Sequence, residues 1–199
     1  MREELLGLLA ARRGHFRFES GHHGELWLEL EPLYLRPARL RTIAAALARR
    51  LAPHGVESVC GPLVGGALLA QMVAEELGAE FCFAEQFTRP QPDGLFPVGY
   101  RIPTALRPAV RGRACAVVDD VINAGSATLG ALVDLRACGA RPVAIGALLV
   151  LGSRASALAE REGVALETLG HLPNALWEPA ACPLCAAGLP LEGVPEPGL

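Results

Sequence analysis

The sequence predicts an α/β protein built on a mainly parallel sheet, and three observations carry that reading. From about residue 56 onward, short apolar runs alternate with helical stretches, the order that lays a helix between successive strands of one sheet. The runs at 114–118 and 142–151 are apolar almost throughout, as strands covered on both faces are. At 199 residues the chain can bury one core of that kind with accessory structure around it.

Residues 3–13 carry a short amphipathic pattern and are expected to be helical. Residues 14–36 read as strands, with apolar and polar positions alternating through Glu25, Leu26, Trp27, Leu28, Glu29, Leu30 and Glu31. Residues 38–52 form a helix: Leu40, Ile43, Ala44, Leu47 and Leu51 share a face, and Arg39, Arg41, Arg49 and Arg50 lie largely outside it. A β run at 56–60 leads into a glycine-rich turn, and Leu68, Leu69, Met72, Val73 and Leu77 then mark a helix. A strand follows at 79–84. Residues 86–112 are rich in proline and glycine and read as a long loop or a flexible hairpin. A strand at 114–118 ending in two acids, a helix at 126–138, a strand within 142–151, a helix at 154–162 and a strand at 164–168 complete the alternation. The proline-rich tail from Pro173 reads as an extended cover or a partly disordered end. No internal repeat is visible. The organisation is therefore an N-terminal hood over 1–36, a core over 37–170 and a C-terminal extension over 171–199.

Composition narrows the chemistry. A net charge of −3 argues against a general nucleic-acid binder, which is expected to be basic. The longest apolar run, 143–152, is too short for a bilayer, which needs about 20 residues. The charged N-terminus lacks a cleavage site after an apolar core, so no signal peptide is read and the chain is expected in the cytoplasm. All 18 basic residues are arginine, which removes Schiff-base and Walker-type lysine chemistry; a phosphate site must use arginine, backbone N–H groups or a metal. Only four aspartates occur, and two of them, Asp119 and Asp120, are adjacent. Cys60, Cys82, Cys115 and Cys138 sit in apolar surroundings and read as small core residues. Cys182 and Cys185 form one CxxC, readable as free thiols, as a disulfide, or with His171 as part of a zinc site. A structural zinc wants four ligands, so no metal ligand is assigned.

The segment Ala116 to Thr128 carries the sharpest chemistry: an apolar strand, two acids, a loop of small residues and the start of a helix. Ligands of open α/β sheets bind outside the carboxyl ends of the strands, where this loop falls. Asn123 to Thr128 offers backbone N–H groups, two hydroxyls and a helix N-terminus, a cradle for a phosphate dianion that needs no lysine. Asp119 and Asp120 would repel that phosphate but can accept hydrogen bonds from sugar hydroxyls. The segment reads as a binder of a ribose 5-phosphate.

The whole thirteen-residue pattern resembles the signature with which type I phosphoribosyltransferases bind phosphoribosyl pyrophosphate (PRPP). Three further segments narrow the resemblance to the orotate phosphoribosyltransferase family: Gly14 to His23, similar to that family's GxFxLxSGxxS entrance; Cys60 to Gly66, similar to its GPxxGG loop; and Trp177 to Cys185 with Pro197-Gly198, similar to the CPLC…PG end of one bacterial and archaeal branch. The resemblance covers nearly the whole chain. It implies the type I phosphoribosyltransferase fold, with a central, mainly parallel sheet flanked by helices, and transfer of ribose 5-phosphate from PRPP to orotate in pyrimidine synthesis. PRPP would be bound by Asp119, Asp120, Val121, Ile122, Asn123, Ala124, Gly125, Ser126, Ala127 and Thr128. Pyrophosphate would be bound by Gly61, Pro62, Leu63, Val64, Gly65 and Gly66. The base would be held by Ser20, Gly21, His22 and Arg154, the arginine pairing with the orotate carboxylate. Mg²⁺, carried mostly by substrate and water, and a homodimer are implied as well. So is a mobile loop from about 85 to 110, which in the family carries lysine and histidine; here its first half has neither, and Arg89 stands in as the catalytic cation. Glu19 occupies a place where some members have lysine. The residues alone leave open whether His22 and His23 are surface or base-binding residues, and whether Trp27 and Tyr34 are core or stacking residues. The competing functional readings are transfer to another base and a catalytically weak PRPP- or nucleotide-binding regulatory relative.

Overall fold

The computed structural model describes residue 7, residues 9–89 and residues 95–192. Six strands make the central sheet, in the order β5-β4-β3-β6-β7-β8, with β3 (Ser58–Pro62), β4 (Glu80–Thr88), β6 (Ala114–Ile122), β7 (Arg141–Leu151) and β8 (Ala165–Leu172) parallel and β5 (Val98–Arg101) antiparallel at the edge. Period-two alternation splits the core into two layers. Val59, Ala116, Val118 and Leu148 pack against α1 (Pro37–Leu51) and α2 (Gly65–Leu77) on one face. Cys60, Cys115, Val117 and Ile145 pack against α4 (Ser126–Ala137) and α5 (Arg154–Glu162) on the other. The apolar stripe expected in the first helix is buried, with Ile43, Leu47 and Leu51 fully covered, and the four cysteines assigned to the core are buried.

Two elements differ from expectation, and a third resolves to one of its two expected forms. Residues 10–13, expected within a helix, begin β1 (Ala10–Arg17), which pairs antiparallel with β2 (His23–Glu29). The amphipathic charge pattern is satisfied across strands instead: Arg12 bonds Glu29 and Arg13 bonds Glu25. Residues 1–6 and 8 of that expected helix lie outside the described residues. The strand expected over 114–118 is longer, because β6 runs on through Asp119 and Asp120 to Ile122, paired with the long apolar β7. The proline-rich stretch is a hairpin, β4 pairing with β5, whose return is fixed where Asp134 of α4 accepts from the Ile102 N–H at 2.6 Å and pairs with Arg107 of the short α3 (Arg107–Val110) at 2.9 and 3.0 Å. Positions 90–94 at the tip of that hairpin lie outside the described residues.

The hood is a small sheet, β1-β2-β9, closed by β9 (Leu176–Trp177) against the start of β2. The extension packs back on it through a short helix, α6 (Pro183–Ala186), and Glu192, whose backbone bonds His15 and Arg17. Cys182 is buried there beside His15, and Cys185 lies against His23. His171, the partner considered for the CxxC, is elsewhere, its Nε2 bonded to the Gly152 carbonyl at 2.6 Å.

Candidate active site

Adjacent residues in a strand point to opposite faces, so β6 sends its two acids in different directions. Asp119 faces a cavity of about 320 Å³ at the carboxyl end of the sheet, lined also by Phe18, Glu19, Ser20, Trp27 and the loop Val121 to Ala127. Asp120 faces the α2 side, where its Oδ2 accepts a hydrogen bond of 2.6 Å from the Tyr34 hydroxyl and its Oδ1 accepts one of 2.7 Å from the Val121 N–H.

The glycine-rich turn abuts both acids. A Cβ at Gly65 would lie 2.1 Å from Asp120 Oδ2, and one at Gly66 would lie 2.7 Å from Asp119 Oδ1. A side chain there would push these carboxyls aside, so the first turn of α2 and the end of β6 share one space. Both segments assigned to PRPP therefore meet at one sheet end, with Leu63 and Val64 exposed on the rim. Gly125 (φ 79°) makes the left-handed turn into α4, and Ser126 to Ala127 present that helix N-terminus to the cavity.

The cavity is acidic. Burial, then the neighbouring Asp120 carboxyl, pushes the Asp119 carboxyl well above the usual carboxylate range. Burial also raises Asp120, although the Tyr34 hydroxyl and the Val121 N–H favour its charged form. Glu19 adds a third carboxyl, accepting from the Tyr100 hydroxyl at 2.9 Å and the Ser126 hydroxyl at 3.3 Å. The two loop hydroxyls thus differ from expectation: Ser126 bonds Glu19, and Thr128 is fully buried with its Oγ1 unpaired.

A second cavity, of about 410 Å³, is lined by Gly152, Ser153, Arg154, Asn174, Ala175 and Leu176. Asn174 Nδ2 donates to Asn123 Oδ1 at 2.9 Å and so joins it to the Asp119 cavity. His22 sits in the hood, buried, with Nδ1 3.1 Å from Ser20 Oγ and Nε2 without a partner. Burial, then the nearby Arg154 charge, lowers its pKa, which favours a neutral ring with one uncommitted buried nitrogen. Both His22 and His23 are buried, which removes the surface reading of each. Tyr34 packs against the core, as the core reading had it, and its hydroxyl also serves Asp120. Trp27 stacks on Phe18 and lines the cavity. Arg89 is not brought to this cavity within the chain. It is exposed, its Nε bonded to the Val98 carbonyl at 3.0 Å, in a separate cavity with Arg101 and Arg107.

The family model described as a phosphoribosyl transferase domain matches residues 30–169, which hold the glycine turn, the acid pair and the small-residue loop. The chain belongs to the phosphoribosyltransferase family. Among curated relatives of this phosphoribosyltransferase, the orotate phosphoribosyltransferase of Thermotoga petrophila is 31% identical over 190 residues, covering 96% of this chain and 94% of its own. That of Thermus thermophilus is 31% identical over 185 residues, covering 93% and 94%. Among solved structures, the Aeropyrum pernix orotate phosphoribosyltransferase matches with a TM-score of 0.61 at 23% identity, over 86% of this chain and 94% of that one. The adenine phosphoribosyltransferase of Thermoanaerobacter pseudethanolicus matches with 0.67 at 15% identity, over 86% and 100%. Backbone likeness thus fixes the fold without choosing a base.

The residues of this phosphoribosyltransferase that its motifs did not single out are Tyr34, Tyr100 and Asn174. Each acts through a side chain far in sequence from its partner, 86, 81 and 51 positions away. No local pattern signals such pairs.

Proposed function

We propose that this phosphoribosyltransferase transfers ribose 5-phosphate from PRPP to N1 of orotate, forming orotidine 5′-phosphate and releasing pyrophosphate. One observation carries the reading: the glycine turn and the acid-tipped strand meet so closely that a Cβ at Gly65 or Gly66 would displace the Asp120 or Asp119 carboxyl. The amides of Ala124 to Ala127 and the α4 N-terminus suit the 5-phosphate, Asp119 suits the ribose hydroxyls, and the Gly65–Gly66 backbone suits the pyrophosphate. The C1–O bond to pyrophosphate breaks as the C1–N1 bond forms. The protein's work is to hold the two reactants in line and keep water out of a partly closed cavity. For the base, Arg154 offers a guanidinium fork to the orotate carboxylate, with the free Nε2 of His22 and the Ser20 hydroxyl as polar neighbours.

Asp119 and the half-buried Glu19 place two carboxyls in a cavity with no arginine or lysine in its lining, and a cation would favour the charged form that burial opposes at Asp119, so the donor set suits Mg²⁺ held through substrate and water. When bound, the cation supplies neutralising charge to the departing pyrophosphate. Arg89 contributes cationic charge if the hairpin closes on the site, in a homodimer from the neighbouring subunit. No helix among the described residues is long and apolar enough to cross a membrane, in keeping with a cytoplasmic enzyme.

The Glu19–Ser126 hydrogen bond at 3.3 Å favours a second reading, a PRPP-binding relative with little turnover, because it occupies a group expected on the phosphate. A base panel separates the two. With PRPP and Mg²⁺, orotate should yield its ribonucleotide while adenine, hypoxanthine and uracil do not. PRPP binding without turnover on any base would establish the regulatory reading.

A further inference from the structure

We propose that His15, His23, Cys182 and Cys185 form a tetrahedral zinc site that clamps the C-terminal extension to the hood. The ligand atoms come from the end of β1, from the first residue of β2, and from two positions one turn apart at the start of α6. All four lie within 4.8 Å of one another. The His15 Nε2 to His23 Nδ1 distance is 3.2 Å, and the nitrogen-to-sulfur distances are 3.4 Å (His15 to Cys182), 3.6 Å (His15 to Cys185) and 3.3 Å (His23 to Cys185). Zinc bonds of ~2.0–2.1 Å to nitrogen and ~2.3 Å to sulfur give tetrahedral edges of about 3.3 Å between nitrogens and about 3.6 Å between nitrogen and sulfur. The observed edges fall within ~0.3 Å of those values.

Hydrogen bonding does not account for the cluster. His15 Nδ1 lies 2.9 Å from the Leu189 carbonyl, which can only accept, so Nδ1 carries the proton and Nε2 presents a single lone pair. Three neighbours surround that one lone pair. A lone pair aimed at a common centre, with the far nitrogen donating to a backbone carbonyl, is the arrangement of a ligating histidine held by an outer hydrogen bond. Two thiolates and two imidazoles in a tetrahedron select zinc among common metals. All four positions belong to the protein, which leaves none for substrate and makes the site structural. His15, His23 and Cys182 are buried, while Cys185 is exposed and gives the ion an entry path. Between the two histidines runs the turn carrying Ser20, Gly21 and His22, so the ion would close the base of that loop.

The test reads metal directly and is independent of the transferase reading. The full-length chain, purified without a polyhistidine tag or chelator, should carry one zinc ion per chain by elemental analysis. The apo chain reloaded with Co²⁺ should show the intense visible bands of a tetrahedral site and a sulfur-to-cobalt charge-transfer band. Cys182→Ser and Cys185→Ser should each lose the zinc and the cobalt bands, while His171→Ala should keep both. Stripping zinc from the wild type should lower its melting temperature and expose the extension to protease. Wild-type zinc below ~0.1 per chain both as purified and after reloading would overturn the proposal. So would retention of zinc by either cysteine variant, or a Cys182–Cys185 disulfide in the purified chain.

Discussion

Asp119 and Asp120 occupy successive positions of one strand, and the pleat gives them different work. Asp119 faces the cavity with its carboxyl held above the normal range by burial and by Asp120; Asp120 is tied to Tyr34 and to the Val121 amide. A carboxyl raised in the folded state takes up its proton there before the unfolded chain does, so the folded state gains stability as pH falls through that raised range and loses it as pH rises. Asp119→Asn should therefore melt higher than wild type at neutral pH, with the gap narrowing as pH falls, and should lose most turnover. Thermal melts across pH with parallel kinetics check this, and a variant less stable than wild type at neutral pH contradicts it. At the proposed base site, Arg154→Ala should raise the orotate KM far more than the PRPP KM, by about 2–5 kcal/mol in kcat/KM for orotate. An equal effect on both substrates would remove Arg154 from that site. The acid pair and the glycine turn could be placed near one another because each is a contiguous motif, and the structure brings them to one sheet end, with Arg154 lining a neighbouring cavity. Tyr34 and Glu19 were not read as site partners, because what ties them to Asp120 and Ser126 is tertiary contact.

At the scale of elements, the proposed site lies where the start of α2 presses on the end of β6. Gly65→Ala puts a methyl 2.1 Å from Asp120 Oδ2 and 2.6 Å from the Tyr34 hydroxyl, and should cost about 1–3 kcal/mol in urea denaturation together with weakened PRPP binding. Unchanged stability and affinity would show that the two segments do not share that space. The hairpin β4–β5 depends on Asp134, which holds the Ile102 N–H and Arg107 at once. Because Arg107 is partly exposed, Asp134→Ala should cost only ~1.5–3 kcal/mol, read in the same unfolding experiment. The helices over 38–52, 126–138 and 154–162 were legible to within a residue because their periodicity spans a whole face. The start of β1 was misread because paired apolar and charged residues, Leu5-Leu6, Leu8-Leu9 and Arg12-Arg13, are spaced like one face of a helix over so short a run. The extent of β6 was missed because acids signal turns locally, whereas here the long partner β7 continues the ladder past them.

For the whole molecule, the fold class followed from the alternation of strands and helices, and the two-sided core from strands apolar on both faces. What the chain could not reveal was how distant parts close on one another: the extension folding back on the hood, or the Asn123–Asn174 bond joining two cavities. Arg89 poses the same question between chains, being exposed and outside the Asp119 cavity of its own chain. If it serves a neighbouring subunit, Arg89→Ala and Asp119→Asn should each be nearly inactive. Their mixture after dissociation and reassociation should recover about a quarter of wild-type activity, the statistical share of intact sites. No recovery would confine Arg89 to its own chain or exclude it from the reaction.

The central claim is that ribose 5-phosphate passes from PRPP to orotate at the Asp119 cavity, and simultaneous quantitation of both products tests it most directly. With wild-type chain, PRPP, Mg²⁺ and orotate, pyrophosphate and orotidine 5′-phosphate should rise together in equal amounts, and neither should form with Asp119→Asn or without orotate. Pyrophosphate release that ignores orotate, or equal product formation by Asp119→Asn, would contradict the account.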